Sequence, residues 1–331
     1  MSYSWRIEKI KPENWPLWDA FALEQRDGTL FHSSIWLREQ PQTETEIFGL
    51  FKGDALMGGA ALAVKTRWRQ RLVPQPRMTP YYGPVFSDAL VQSPQLKEAF
   101  KQLLTGVYAS FDAFTFNLPP QAVQTRQLLQ NHEAKLIPGC SHRSLRTNRI
   151  SGRAPDELIE SYSGTSQRRY IRRAMRNPEL RAESTTDFEQ VYALSEESFR
   201  AAGRAHPFPK NDFIRLAESL HENGLACCLC VRLKDEMIAA YWVPFDRHTA
   251  YYIASGLSQK HRSLHAGPYA LHLMISFAME HKLVFDFEGS MNENINRYFT
   301  SFGPEACTYD HYKSVTSSAV RTLNSLRLLR F

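Results

Sequence analysis

The feature that most constrains this chain is that one order of secondary-structure signals is legible in it twice. In the first half, residues 12–25 have helical spacing, with Trp15, Trp18, Phe21 and Ala22 on one stripe. A short helix near 33–40 follows, with Ser33 or Ser34 as its cap. Strand-like runs at 46–51 and 55–64 flank Lys52-Gly53-Asp54 and predict a hairpin. A strand over 70–77 leads into the loop TPYYGP, and then come a helix at 96–108, a strand at 113–117 and a helix at 121–130. The second half repeats this order. Helices at 188–201 and 212–222 precede a hairpin of 226–233 and 237–245 about Lys234-Asp235-Glu236. A strand at 249–255, a long helix at 267–281, a strand at 284–287, a helix at 292–302 and a strand at 307–312 complete it. Such an order predicts an α/β (α+β) protein of two tandem domains, each a mixed, mostly antiparallel sheet flanked by helices. The 331 residues also exceed what one core usually organises. The division expected is 1–150 and 151–331, with the more legible site in the second domain.

The bulk properties narrow the class of function. The longest apolar run, 55–64, contains Gly58 and Gly59 and is far shorter than the ~20 residues of a membrane span. The first 15 residues hold no apolar core of a signal peptide, so a cytoplasmic protein is expected. Cys227, Cys228 and Cys230 lie in one strand-like run with alternating directions, a pattern of buried reduced thiols and a poor metal cage. The net charge is +6. Ten arginines and four acids fall between His142 and Arg181, so this one segment carries the whole excess. A local basic patch points to an anionic ligand. No P-loop, G-x-S-x-G or H-E-x-x-H is present. The tail 317–331 mixes leucines with arginines, so it reads as a terminal helix or as a peripheral membrane contact.

Three motifs in the second half carry a resemblance: the basic helix Ser166-Gln167-Arg168-Arg169-Tyr170-Ile171-Arg172-Arg173-Ala174, the turn Asp286-Phe287-Glu288-Gly289-Ser290, and Tyr298-Phe299-Thr300-Ser301-Phe302-Gly303. They resemble the S-x-R-R-x-I-R-x-A, D-F-x-G-S and F-K-x-x-F-G elements of the Fem family of peptidoglycan-bridge aminoacyl transferases and their FemAB-like relatives, within the GNAT superfamily. FHSSIWL and TPYYGP are weaker counterparts in the first half. The resemblance is strong over 160–312 and weak over 30–90. It implies tandem GNAT-like domains and a transferase without a metal. Phe299 stands where the family has its lysine.

The candidate site residues follow from the residues and from this likeness. Arg168, Arg169, Arg172, Arg173 and Arg176 fall within an arc of about 140° on a helix, opposite Tyr170, Ile171, Ala174 and Met175. A row of guanidiniums suits phosphate or carboxylate; a solvated face paired to nearby acids is the plain alternative. Arg204, beside His206, can converge on the same ligand. The segment 260–270, KHRSLHAGPYA, precedes the long helix, and the resemblance implies that Arg262, His265, Ala266 and Gly267 hold the pyrophosphate of acetyl-CoA or another acyl-CoA at the helix N-terminus. Alternation along a strand end puts Asp286, Glu288 and Ser290 on one face, with Glu288 as a candidate general base. Tyr298 is the candidate acid for a leaving thiolate, and Phe302 is a substrate contact on the same helix. Tyr252, Trp36 and the pair Tyr81-Tyr82 are candidate aromatic walls. These residues point to acyl transfer from a CoA-type donor to an amine of an anionic, cell-envelope-related acceptor. Two readings stay open beside it: a Fem-type reaction using aminoacyl-tRNA, and a non-catalytic tandem binding module. DNA is not an expected partner.

Overall fold

Hydrophobic patterning sets the elements, and their order in the computed structural model follows the repeat. The structure describes residues 4–137, 140–288 and 293–325. The first half holds β1 (Trp5–Ile10), α1 (Trp15–Glu24), α2 (Ser34–Leu37), β2 (Glu44–Lys52), β3 (Ala55–Arg67), β4 (Gln70–Val73), β5 (Pro84–Phe86), α3 (Asp88–Val91), α4 (Leu96–Gly106), β6 (Ala113–Leu118) and α5 (Val123–Leu136). There follow β7 (Ser141–Ile150), α6 (Thr165–Met175), β8 (Leu180–Ser184), α7 (Phe188–Ala201), α8 (Lys210–Glu222), β9 (Ala226–Leu233), β10 (Glu236–Pro244), β11 (Thr249–Tyr251) and β12 (Ala254–Leu257). The chain closes with α9 (Ala266–Glu280), β13 (Val284–Asp286), α10 (Glu293–Thr300), β14 (Glu305–Val315) and α11 (Ser318–Ser325).

Two compact units result, the first drawn from Met1–Leu145 and Thr308–Phe331, the second from Arg146–Cys307. The sequence reading had placed everything after 150 in the second domain. The correction has a physical cause: Asp310 to Val315 pair antiparallel with Leu118 to Ala113 of β6. Val320 of α11 then buries itself against Leu72 and Ala113. The Asp310 carboxylate is fully buried and accepts from Arg126 Nε at 3.0 Å. At the other limit, Arg149 and Ile150 pair with Asp286 and Phe285 of β13, which ties the end of β7 to the second unit.

In the first unit β1, β2 and β3 form an antiparallel meander. β3 pairs with β4 near its end and with β5 near its start. β4 runs parallel to β6. The chain between β4 and β5 turns inward: Tyr81 and Tyr82 from it, with Trp36 of α2, are fully buried. Trp36 Nε1 donates to Thr79 Oγ1 at 2.8 Å, and Tyr82 exchanges backbone hydrogen bonds with Asn117. These three aromatics are core, and the expectation that they line a cleft is corrected.

In the second unit β8, β9, β10 and β12 make an antiparallel sheet. β11 instead pairs parallel with β13. α9 packs Ala270, Leu271, Met274, Ile275 and Ala278 into the core, and α6 adds Ile171 and Ala174. Cys228 and Cys230 are buried and Cys227 is half-buried, all as free thiols.

Candidate functional site

The strand expected at 249–255 is two strands. β11 takes β13 as its partner, and β12 takes β10. The chain changes sheet at Tyr252 and Ile253, so two ladders diverge from one segment. Tyr252 N still donates to Asp286 O at 2.9 Å, which holds the point of divergence. Behind it Asp286 is fully buried: its carboxylate accepts from Arg149 Nε at 2.7 Å and from Glu288 N at 2.8 Å.

A cavity of about 510 Å³ opens at this fork. Tyr252, Ile253, Ala254 and Ser255 form its floor, with Ser198 and Phe199 of α7 and the Ala202 beyond it on one wall and Asn294, Ile295, Tyr298 and Phe299 of α10 on the other. Arg204 and Arg262, both exposed, stand at its rim. Arg204 lies 5.5 Å from the Phe199 ring centroid, and Arg262 donates to Gln259 Oε1 at 3.2 Å. Its polar side chains are the phenols of Tyr252 and Tyr298 with Ser198, Ser255 and Asn294. Tyr252 Oη and Ser255 Oγ are 2.6 Å apart. Tyr241, which the sequence reading had passed over, shares hydrogen bonds with both Tyr252 and Tyr298. Burial, and then the neighbouring Tyr252, push the Tyr298 hydroxyl well above the ordinary phenol range. The phenol therefore stays protonated at neutral pH.

Four of the expected residues therefore meet at one cavity: Arg204, Tyr252, Arg262 and Tyr298. Others stand elsewhere. Phe302 is fully buried beneath the wall, its ring 5.4 Å from Tyr298 and 5.0 Å from Tyr162, so it supports Tyr298 and touches no ligand space. Glu288 lies beyond the end of β13 at φ 58°, so strand alternation does not govern it, and it is outside the cavity lining. Burial and the Asp286 charge push its carboxyl well above the usual range. Ser290 lies outside the described residues. The arginine row divides. Arg168 donates to Tyr162 O at 2.7 Å, and Arg172 pairs with Glu160. Arg169 and Arg173 remain exposed.

Those two arginines face the start of α9. His265 takes the left-handed conformation at φ 58° and stacks on Tyr170 with ring centroids 4.0 Å apart. Burial, Arg173 and Arg169 together lower its pKa. No side chain caps this helix, and Ala266 and Gly267 supply N–H groups of its first turn. Gly267 faces Leu257 and the Tyr241 hydroxyl. Helix start, Arg169, Arg173 and Arg262 offer what a diphosphate needs: N–H donors and fixed positive charge.

The comparisons agree with this architecture. Residues 165–313 match the model of the acetyltransferase (GNAT) domain. The structure of FemX overlays 97% of this chain and 99% of its own at 14% identity and TM-score 0.72. L-PGS from Bacillus licheniformis overlays 97% and 98% at 11% identity and TM-score 0.54. A tandem GNAT protein from the clavulanic acid biosynthesis pathway overlays 95% and 99% at 12% identity and TM-score 0.52. No curated protein sequence matches the chain. Residues 165–313 therefore match a GNAT domain by sequence, and nearly the whole chain shares the fold of FemX and of the tandem GNAT protein.

Proposed function

We propose that the second unit is an N-acyltransferase that takes its acyl group from a CoA-type thioester and passes it to an amine on an anionic, cell-envelope-related acceptor. The observation that carries the reading is the open fork at Tyr252-Ile253, with Tyr298 on one wall and an uncapped helix start near Arg262. Ala266, Gly267, Arg169, Arg173 and Arg262 would hold the diphosphate. A bound thioester supplies the acyl carbon and a thiolate leaving group. Ile253 belongs to neither ladder, and its N–H polarises the acyl carbonyl. Tyr298 Oη gives its proton to the departing sulfur, and the hydrogen bond to Tyr241 holds the phenol in place. Arg204 at the rim pairs with the acceptor's anionic group. Among the described residues the lining holds no carboxylate, so the amine proton leaves to water at the open mouth.

The first test is a thermal-shift and turnover comparison. CoA and acetyl-CoA should raise the melting temperature, with the shift lost in Arg262→Ala. Tyr298→Phe should keep the shift and lower kcat by about 10²-fold or more, the usual scale for one acid catalyst. A Tyr298→Phe variant with unchanged turnover would remove that tyrosine from the reaction. The whole-chain likeness to FemX favours a second reading, with aminoacyl-tRNA as donor. In that case CoA gives no shift, and tRNA binds with a steep salt dependence. A protein that binds these ligands and turns over none of them is the non-catalytic module.

A further inference from the structure

We infer that the β3–β4 hairpin of the first unit is a docking surface for a membrane rich in anionic phospholipid. From Lys65 to Arg77 the chain holds Lys65, Arg67, Arg69, Arg71 and Arg77 and no acid. Its two-residue turn is Trp68-Arg69, at φ 50° and 63°. Glycine and asparagine take that conformation readily; a bulky aromatic residue does not. The fold thus accepts backbone strain to hold a tryptophan at the tip, where it is 51% exposed. The Trp68 ring meets the Arg67 guanidinium at 4.4 Å, and Arg67 and Arg69 are both exposed. On the neighbouring strand, Glu46 accepts from Arg71 Nη2 at 2.9 Å and from Lys9 Nζ at 3.1 Å. The tip itself carries Arg67 and Arg69 and no acid.

Beside the hairpin lies a concavity of about 150 Å³ that counts Gln40, Lys65, Arg67, Gln75 and Arg77 among its lining. Gln40 is 4% exposed; its Oε1 accepts from Arg77 N at 3.0 Å. Its Nε2 is buried and has no hydrogen-bond partner among the described residues. A buried amide donor without a partner costs free energy unless a ligand acceptor meets it. Donor and cations together fit a phosphate oxygen, and the volume suits a phosphate group and no larger nucleotide. Tryptophan and arginine are side chains of the bilayer interface, the ring at headgroup level and the cations drawn by anionic lipid. A polynucleotide would favour several open ring faces along a groove. Here there is one ring, and a guanidinium occupies one of its faces.

Flotation of the full chain with vesicles tests the proposal. Phosphatidylcholine alone should bind little; vesicles with about 30% phosphatidylglycerol should bind the chain, less so as salt rises. Arg69→Gln should weaken binding about fivefold, the effect of one interfacial cation, and Trp68→Ala at least as much. Both positions are exposed, so melting temperatures should stay within about 2 °C of the parent, as expected for surface changes. Equal binding by the parent and both variants overturns the inference. So does binding of inorganic phosphate or glycerophosphoglycerol without any binding of vesicles, which would mark a soluble phosphate ligand. A gel shift with tRNA that both variants abolish, alongside no vesicle binding, would replace the membrane with nucleic acid.

Discussion

Gly256→Ala is the substitution whose effect follows most directly from the geometry of the fork. Gly256 sits in β12, one residue after the floor of the cavity, against the backbone of α7. A Cβ built there would lie 2.4 Å from Leu194 C, 2.4 Å from Leu194 Cβ and 2.5 Å from Ser195 N. Contacts of carbon with such atoms settle near 3.5 Å, so helix and strand must separate by about 1 Å. None of the three atoms is the far end of a flexible side chain, and Ser195 is fully buried. The separation also strains two ties between these elements: Leu257 N to Ser198 Oγ at 3.0 Å and Gln259 N to Glu197 Oε1 at 2.9 Å. Overpacking alone costs about 1–3 kcal/mol, and each tie about 1 kcal/mol. A destabilisation of about 3 kcal/mol or more should lower the melting temperature by roughly 6–12 °C in a unit of this size. Calorimetry with Gly267→Ala as control checks this. That Cβ would lie 3.3 Å from Leu257 Cδ2, a side-chain end that can move, and alanine recovers up to about 1 kcal/mol of helix propensity. The control should melt within about 3 °C of the parent. If the two alanines behave alike, the close approach of β12 to α7 does not set the fork.

Further outcomes follow from buried charge. Asp286→Ala leaves the Arg149 guanidinium buried without its 2.7 Å partner and should cost about 3–5 kcal/mol by denaturant unfolding; joint replacement with Arg149→Met should recover much of it. His32 and His272 are pushed down from 6.5 to about 4 by burial, so the folded state binds fewer protons than the unfolded chain between those values. Stability is then whole above pH ~6.5 and lost as pH falls towards ~4, by up to about 3 kcal/mol per histidine. His272→Gln should flatten that slope in a pH series of melts, and an unchanged slope would assign it to other groups.

Much of the fold was legible because the core elements are strongly patterned. α7 and β9 fall where the spacing put them, residue for residue. The strands β1, β7 and β8 were missed because charged or polar side chains alternate in them without apolar runs; β7, SHRSLRTNRI, reads as a basic linker until its pairing partners are known. The arginine row was found, but its division was not. Arg168 and Arg172 turn to the 160–162 segment, and nothing in helical spacing reports that Glu160 and the Tyr162 carbonyl lie there. Tyr241 was passed over because a tyrosine in an otherwise apolar strand looks like core, and its role depends on two partners more than ten residues away or on another element.

The two units answer the same topological problem in opposite ways. In the first, β4 runs parallel to β6 while β5 pairs with β3; in the second, β11 runs parallel to β13 while β12 pairs with β10. Each unit therefore splits one strand between two ladders. A split leaves backbone groups and volume to be satisfied. In the first unit ten residues, 74–83, separate the two pieces, and that chain turns inward: Tyr81 and Tyr82 are fully buried, and Asn117 pairs with Tyr82 across the gap. In the second only Tyr252 and Ile253 intervene, too short a segment to fold back, and the space stays open at about 510 Å³. The difference in loop length is sufficient to explain why aromatic side chains plug one fork and line the other. A segment of 74–83 grafted between Tyr251 and Ala254 should accordingly abolish the CoA-dependent thermal shift while leaving the chain folded. If the shift survived, the ligand would be bound away from the fork.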